Sequence, residues 1–189
     1  MEEETKKFVI KLAKKVIENY VKSGKIVSKP VKYPKELDEK RGVFVTIYKK
    51  VNNQNYLRGC IGLPYPTKPL IEGIIEVAVS VTQDPRFPPL SPNELKDIFL
   101  EVSILTKPEK IEGKDYKEIL EKIKPFKDGI IIKKGIRSAL FLPQVWDELP
   151  KKETFLSQLC VKAGLSPSEW TKEGMEFYKF QAEIIEEKM

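Results

Sequence analysis

Two β-rich runs facing each other across a polar turn constrain this chain most. Arg41-Gly-Val-Phe-Val-Thr-Ile-Tyr48 and Tyr56-Leu-Arg-Gly-Cys-Ile-Gly62 flank Asn52-Asn-Gln-Asn55, which predicts an antiparallel hairpin. A second hairpin is expected where Asp128-Gly129 and Gly135 bracket Ile130-Ile-Ile132, with the return strand running from Ile136 to Leu142. Ile98, Leu100, Val102 and Ile104 alternate on one face of a further strand, and Tyr178, Phe180, Ala182 and Ile184 alternate in a closing one. Helical spacing takes over elsewhere. Phe8, Leu12, Val16 and Tyr20 recur at four-residue steps over residues 4–22, with Gly24 as a stop. Thr67 is placed to cap a helix reaching about Thr82, Ser91-Pro-Asn-Glu94 is a capping box opening a short helix, and residues 114–123 read as helical. Residues 151–163 form another helix ended by Gly164, and Ser166-Pro-Ser-Glu169 is a second capping box. Strands mostly in hairpins, with helices that do not alternate strictly between them, predict an α+β fold with a largely antiparallel sheet and flanking helices.

At 189 residues a single domain spanning 1–189 is expected, and 41% hydrophobic residues supply enough apolar surface for a core, which excludes global disorder. The chain holds no histidine, so a Ser-His-Asp triad, a Cys-His dyad and histidine-ligated metal are excluded. Cys60 and Cys160 stand too far apart for a disulfide framework, and no short-spaced ligand pair suggests a metal site, so neither metal nor cofactor is expected. Met1 to Lys7 lacks the apolar run of a secretory signal, and no stretch approaches a membrane span; a cytoplasmic protein without membrane contact is the expectation. The net charge of +6 raises the question of nucleic acid. Lysines interleaved with acidic residues, as in Lys114-Asp-Tyr-Lys-Glu118, read instead as a solvated surface, and no RNA-binding signature appears. Of 34 basic residues only Arg41, Arg58, Arg86 and Arg137 are arginine. Heavy Lys and Glu usage leans towards heat adaptation, and an arginine retained against it suits a place that needs a planar fork.

Three segments carry chemistry. In Leu57-Arg-Gly-Cys-Ile-Gly62, strand alternation puts Arg58 and Cys60 on one face, while Gly59 and Gly62 leave room for close approach by a ligand. A guanidinium near the thiol would favour the thiolate, making Cys60 a candidate nucleophile; the competing reading is a small buried hydrophobe beside an Arg58 paired with a carboxylate. Without histidine, any base must be Lys, Tyr or a carboxylate. In Asp84-Pro-Arg-Phe-Pro-Pro89, Asp84 and Arg86 sit on a rigid loop able to reach a ligand, or Asp84 bonds its own turn while Phe87 packs. Gln144, after a strand end and Pro143, is an amide in an apolar setting that either orients a ligand or satisfies loop backbone. Cys160, Trp146 and Trp170 read as packing.

Taken together, Leu57-Arg-Gly-Cys-Ile-Gly62, Asp84-Pro-Arg-Phe-Pro-Pro89, Leu142-Pro-Gln-Val145 and Lys162-Ala-Gly-Leu165 resemble the AMMECR family, called after a chromosomal region linked to Alport syndrome, midface hypoplasia and elliptocytosis. Arg41-Gly-Val-Phe-Val-Thr46 and Glu101-Val-Ser103 fit as well, and the match spans nearly the whole chain in order. It departs from typical members near Trp146 to Lys152, where the loop is short. The resemblance implies two unequal lobes with a cleft between them, lined by Arg58, Gly59, Cys60 and Gly62. It implies no settled activity, and an association of prokaryotic members with Memo-type and radical-SAM proteins. The reading that follows is a small anionic ligand beside Cys60, bound by Arg58, Gly59, Gly62, Asp84, Arg86 and Gln144, with thiol-based catalysis. The alternatives are a non-catalytic adaptor docking through residues 84–90, and, ranked below it, a basic module associated with nucleic acid.

Overall fold

A computed structural model describes residues 1–52 and 54–188. Among them the chain divides into two units, the first comprising the described residues of 1–105 and 183–188 and the second Thr106–Ala182.

In the first unit the predicted hairpin forms as β1 (Val43–Val51) and β2 (Gln54–Leu63), paired antiparallel. β3 (Ile98–Leu105) lies against the other side of β1, and β8 (Ala182–Lys188) beyond it, giving the order β2-β1-β3-β8. Alternation decides which side of this sheet is buried: Val43, Val45 and Ile47 of β1 and Ile98, Leu100, Val102 and Ile104 of β3 form one apolar face. Two helices cover it. α1 (Glu3–Ser23) contributes Val9, Leu12, Ala13, Val16 and Ile17, and α2 (Leu70–Ser80) contributes Leu70, Ile71, Ile74 and Val77. Gly24 ends α1 in the left-handed conformation at φ 68°, as its place after Ser23 predicts. α2 starts later than expected, at Leu70, because Pro69 takes the N-cap position with extended backbone.

The second unit holds a smaller sheet of order β4-β7-β5-β6, built from β4 (Glu109–Lys110), β5 (Gly129–Lys134), β6 (Arg137–Phe141) and β7 (Glu176–Phe180). Its pairs are antiparallel, and β5–β6 is the second predicted hairpin. α3 (Tyr116–Lys122), capped by the Asp115 carboxylate on the N–H groups of Lys117 and Glu118, and α4 (Lys152–Lys162) pack with it. Trp146 and Phe155 stack at the centre, 3.7 Å between ring centroids, and the Trp146 indole N–H donates to the Asp128 carbonyl at 2.7 Å. Cys160 is fully buried in this core and Trp170 nearly so, the packing roles expected of them.

Two further expectations change. The single closing strand over 178–184 is two strands in different sheets: β7 ends at Phe180 and β8 starts at Ala182. Gln181 makes the break, its N–H donating to Thr106 Oγ1 at 2.9 Å and its carbonyl accepting from the Thr106 N–H at 2.8 Å. The second capping box does not form either, because the Glu169 carboxylate bonds Lys134 and Lys172 instead of turning back to Ser166. The α+β class with largely antiparallel sheets stands. No helix among the described residues is long and apolar enough to cross a membrane.

Candidate functional site

β2 is an edge strand, so the outward backbone groups of Cys60 need partners that no strand supplies. Side chains supply them. The Cys60 N–H donates to Asp84 Oδ2 at 2.9 Å, and Arg86 Nη2 donates to the Cys60 carbonyl at 3.0 Å. Asp84 and Arg86 are themselves joined, Nη2 to Oδ2 at 2.7 Å and Nε to Oδ1 at 3.0 Å, while the Arg86 N–H also reaches Oδ1. One acceptor and one donor thus stand where a neighbouring strand would. Gly59 makes the approach possible, since a Cβ there would sit 2.9 Å from the Val81 carbonyl oxygen. The Asp84 carboxylate is buried, yet its hydrogen bond from the Arg86 guanidinium, helped by the two N–H donors, holds it well below the usual carboxylate range.

Arg58 lies elsewhere than alternation predicts. Between Ile47, which pairs with Gly59, and Tyr48, which pairs with Leu57, the register slips and leaves Arg58 as the extra residue of a β-bulge. A bulge re-aims its side chain. The Arg58 guanidinium clamps Glu94, Nε to Oε1 at 2.8 Å and Nη2 to Oε2 at 3.1 Å, and also donates to the Pro88 carbonyl at 2.9 Å. Glu94 Oε2 also accepts from both the N–H and the hydroxyl of Ser91, the predicted capping box drawn into the clamp. Hydrogen bonding from Arg58 first, and from Ser91 in support, lowers the Glu94 carboxyl to about 2. Phe87 sits against both guanidiniums, 5.8 Å from Arg58 Cζ and 5.7 Å from Arg86 Cζ at its ring centroid, rather than in the apolar core.

The cation that acts on Cys60 is therefore Arg86, and it does not win. Burial pushes the thiol up, against the opposing pull of the Thr46 hydroxyl, 3.3 Å from Sγ, and of Arg86. At rest the group is a thiol, not the thiolate that an adjoining Arg58 would have favoured. Its neighbours follow from sheet register. Thr46 pairs with Cys60 on one side and Glu101 on the other, so Cys60, Thr46 and Glu101 form a row on the face opposite the core. Glu101 is 8% exposed, and burial raises its carboxyl, opposed by the Ser103 hydroxyl at 3.3 Å. Tyr48 is raised by burial first and then by Glu101 and Cys60.

A family model for AMMECR1 matches residues 10–185. The chain belongs to the AMMECR1 family. It is 48% identical to a protein of Thermococcus onnurineus, covering 99% of this chain and 92% of that one, and 47% identical to the MJ0810 protein of Methanocaldococcus jannaschii, covering 95% and 89%. The crystal structure of the uncharacterized protein PH0010 from Pyrococcus horikoshii matches with a TM-score of 0.87 at 46% identity, over 99% of this chain and 93% of that one. These relatives come from thermophilic archaea, in keeping with the Lys- and Glu-rich composition.

In this AMMECR1 chain the structure joins Cys60, Asp84 and Arg86 in one hydrogen-bonded network, with Gly59 giving the room for it, and holds Arg58 in a second network with Glu94 and Pro88, the Phe87 ring lying against both guanidiniums. Gly62 is adjacent, but the space it opens is filled by the Phe44 ring, with which an added Cβ would collide. Gln144 belongs to the second unit, on the 3-10 turn Pro143–Asp147, exposed and without a hydrogen-bond partner among the described residues. Sequence reading misses Thr46, Glu94 and Glu101 as members of the cluster. Glu101 and Ser103 leave a signal: they are the polar alternates of a strand whose other face is uniformly Ile, Leu and Val.

Proposed function

We propose that this AMMECR1 chain binds a small anionic ligand beside Cys60 through a carboxylate or phosphate group, and that the Cys60 sulfur attacks an electrophilic carbon elsewhere in that ligand, forming an S–C bond as that carbon's bond to its leaving group breaks, the leaving group taking the electron pair and the thiol giving up its proton. The Arg86 guanidinium carries this reading. Its Nε and Nη2 are fixed on Asp84 and on the Cys60 carbonyl, its side chain is 55% exposed, and Nη1 has no partner among the described residues. An arginine held on one edge and open on the other presents directed donors to an anion. Because Asp84 cancels its charge, selectivity rests on that geometry rather than on a strong field. Reaction at the thiol needs a proton acceptor, and Glu101 is the carboxylate in the same row, its carboxyl raised by burial and Thr46 standing between.

Alkylation separates the parts of this reading. Iodoacetate and iodoacetamide rates at Cys60 are compared with those at free cysteine. The anionic reagent is expected to be relatively favoured at Cys60, the preference is lost in Arg86→Gln, and the pH midpoint lies above that of free cysteine. An equal preference in wild type and Arg86→Gln, or a Cys60 inert in the folded chain, sinks it.

One observation favours an adaptor without chemistry. Pro85, Arg86, Pro88 and Pro89 are exposed, and Arg58 holds the Pro88 and Pro89 carbonyls, so the loop is presented with little entropy left to lose on docking. In a pull-down, an adaptor keeps its partner in Cys60→Ser and loses it when residues 85–89 are replaced by glycine and serine; partner capture lost with Cys60→Ser alone argues against it.

A further inference from the structure

Arg58 stands two residues before Cys60, yet the bulge turns its guanidinium away from the thiol and onto the loop that carries Arg86. The prolines of that loop decide what can hold it. Between Asp84 and Leu90, Pro85, Pro88 and Pro89 have no N–H to give. The remaining two, on Arg86 and Phe87, both end on Asp84, at its Oδ1 and its carbonyl, 3.0 Å each. The first half of the loop is therefore tied to Asp84. The second half offers carbonyls alone, and Arg58 Nη2 is the donor that takes them, Pro88 at 2.9 Å and Pro89 at 3.5 Å. Arg58 is itself anchored by its two bonds to Glu94.

The two arginines have different exposures. The Arg58 side chain is 13% exposed and that of Arg86 55%. An arginine so open ordinarily samples many rotamers, and ordering it on a ligand costs entropy. Here Asp84 and the Cys60 carbonyl restrain one edge of Arg86, and the Phe87 ring lies within cation–π reach of its guanidinium. Phe87 belongs to neither apolar core. Arg58 holds it twice, at the ring and through the carbonyl of the next residue.

We infer that Arg58 is a positioning residue for Arg86: by gripping Phe87 and Pro88 it holds the far half of the loop, and so keeps the open edge of Arg86 aimed beside Cys60. The inference rests on the reading of Arg86 as the anion-binding group, and goes beyond it by giving Arg58 a part in a site it does not touch. A lysine at position 58 would still meet Glu94 as a point charge, but it lacks the fork that spans Glu94 and Pro88 at once.

Arg58→Lys is therefore the variant, compared with wild type and Arg86→Gln, its fold verified by circular dichroism. Relative to free cysteine, the preference of Cys60 for iodoacetate over iodoacetamide is expected to fall at least threefold in Arg58→Lys. The pH midpoint of alkylation is expected to rise. Arg86 lowers the thiol by more than Asp84, on the same loop, raises it, while burial, Thr46 and Glu101 stay as they are. Amide exchange at Cys60 and Arg86, whose N–H groups bond the Asp84 carboxylate, is expected to quicken at least tenfold, and exchange in β3 to hold. A general loss of stability would instead quicken exchange across the sheet and leave the preference and the midpoint alone. Phe87→Leu, outside the core, is expected to lower the preference as well, and decides the matter should Arg58→Lys not fold. An unchanged preference in either variant, where wild type shows one, overturns the inference, and so does unchanged exchange at Cys60 in Arg58→Lys. No preference in wild type sinks the anion reading instead, and exchange at Cys60 then decides this inference alone.

Discussion

Replacing Glu94 by glutamine removes one charge from the clamp on Arg58 while keeping its shape. The carboxylate accepts two bonds from Arg58 and two from Ser91. Between an ordinary 4.5 and about 2, at about 1.4 kcal/mol per pH unit, the ceiling on its contribution is roughly 3.5 kcal/mol. Its side chain is 20% exposed and that of Arg58 13%, so solvent screens the pair, and we expect about 1–2 kcal/mol at pH 7. Because the folded-state value is depressed, this stability is fully present above pH 4.5 and is lost as pH falls through about 2. A protonated carboxyl in wild type and the neutral amide of Glu94→Gln leave Arg58 equally without a counter-charge, so the two proteins should converge near pH 2. Guanidinium unfolding at a series of pH values measures the difference. The readout is far-UV circular dichroism, because Trp146 and Trp170 both lie in the second unit and would report on the wrong one. A gap between the two proteins that stays constant from pH 7 to pH 2, or no gap at pH 7, refutes the assignment of this carboxylate to Arg58.

Gly59→Ala should destabilise the first unit by about 1–3 kcal/mol, since the new methyl meets backbone, the Val81 carbonyl oxygen at 2.9 Å, rather than a yielding side chain; equilibrium unfolding checks it, and an unchanged midpoint would mean the Val81–Asp84 segment is not held against β2. Thiol counting with a small maleimide should find one reactive group in the folded chain, Cys60, with the fully buried Cys160 appearing only when the second unit unfolds; mass spectrometry of the labelled peptides reads this directly, and early labelling of Cys160 would contradict its place in the core.

Much of the fold is legible in the sequence because periodicity reports burial. The four-residue steps from Phe8 to Tyr20 and the two-residue steps from Ile98 to Ile104 each name the face that meets the core. The order of Leu57-Arg-Gly-Cys-Ile-Gly62 and Asp84-Pro-Arg-Phe-Pro-Pro89 points to the family and to the cluster that joins them. The rest depends on events that alternation does not encode. A one-residue bulge at Arg58 changes which guanidinium acts on Cys60. An alternating run from Tyr178 to Ile184 keeps its period across Gln181 while the backbone changes sheet. Glu101 looks like an ordinary solvent-facing alternate until the register places it in a buried row beside Thr46. Gln144 reads as an amide short of partners, which matters only for a buried one, and its side chain is exposed.

The reciprocal bonds between Thr106 and Gln181 bear on the order in which the chain assembles. The second unit is an uninterrupted stretch set between two pieces of the first, and β8 finds β3 only after that stretch has been made. Joining them across a loose loop of that length would cost roughly 4 kcal/mol of length-dependent closure entropy. Once the inserted stretch has folded, Thr106 and Gln181 are already side by side, and the tail is delivered next to its berth. The insert then acts as a clasp for its host, and a mutation that loosens the buried Trp146–Phe155 stack should slow completion of a sheet to which neither ring belongs.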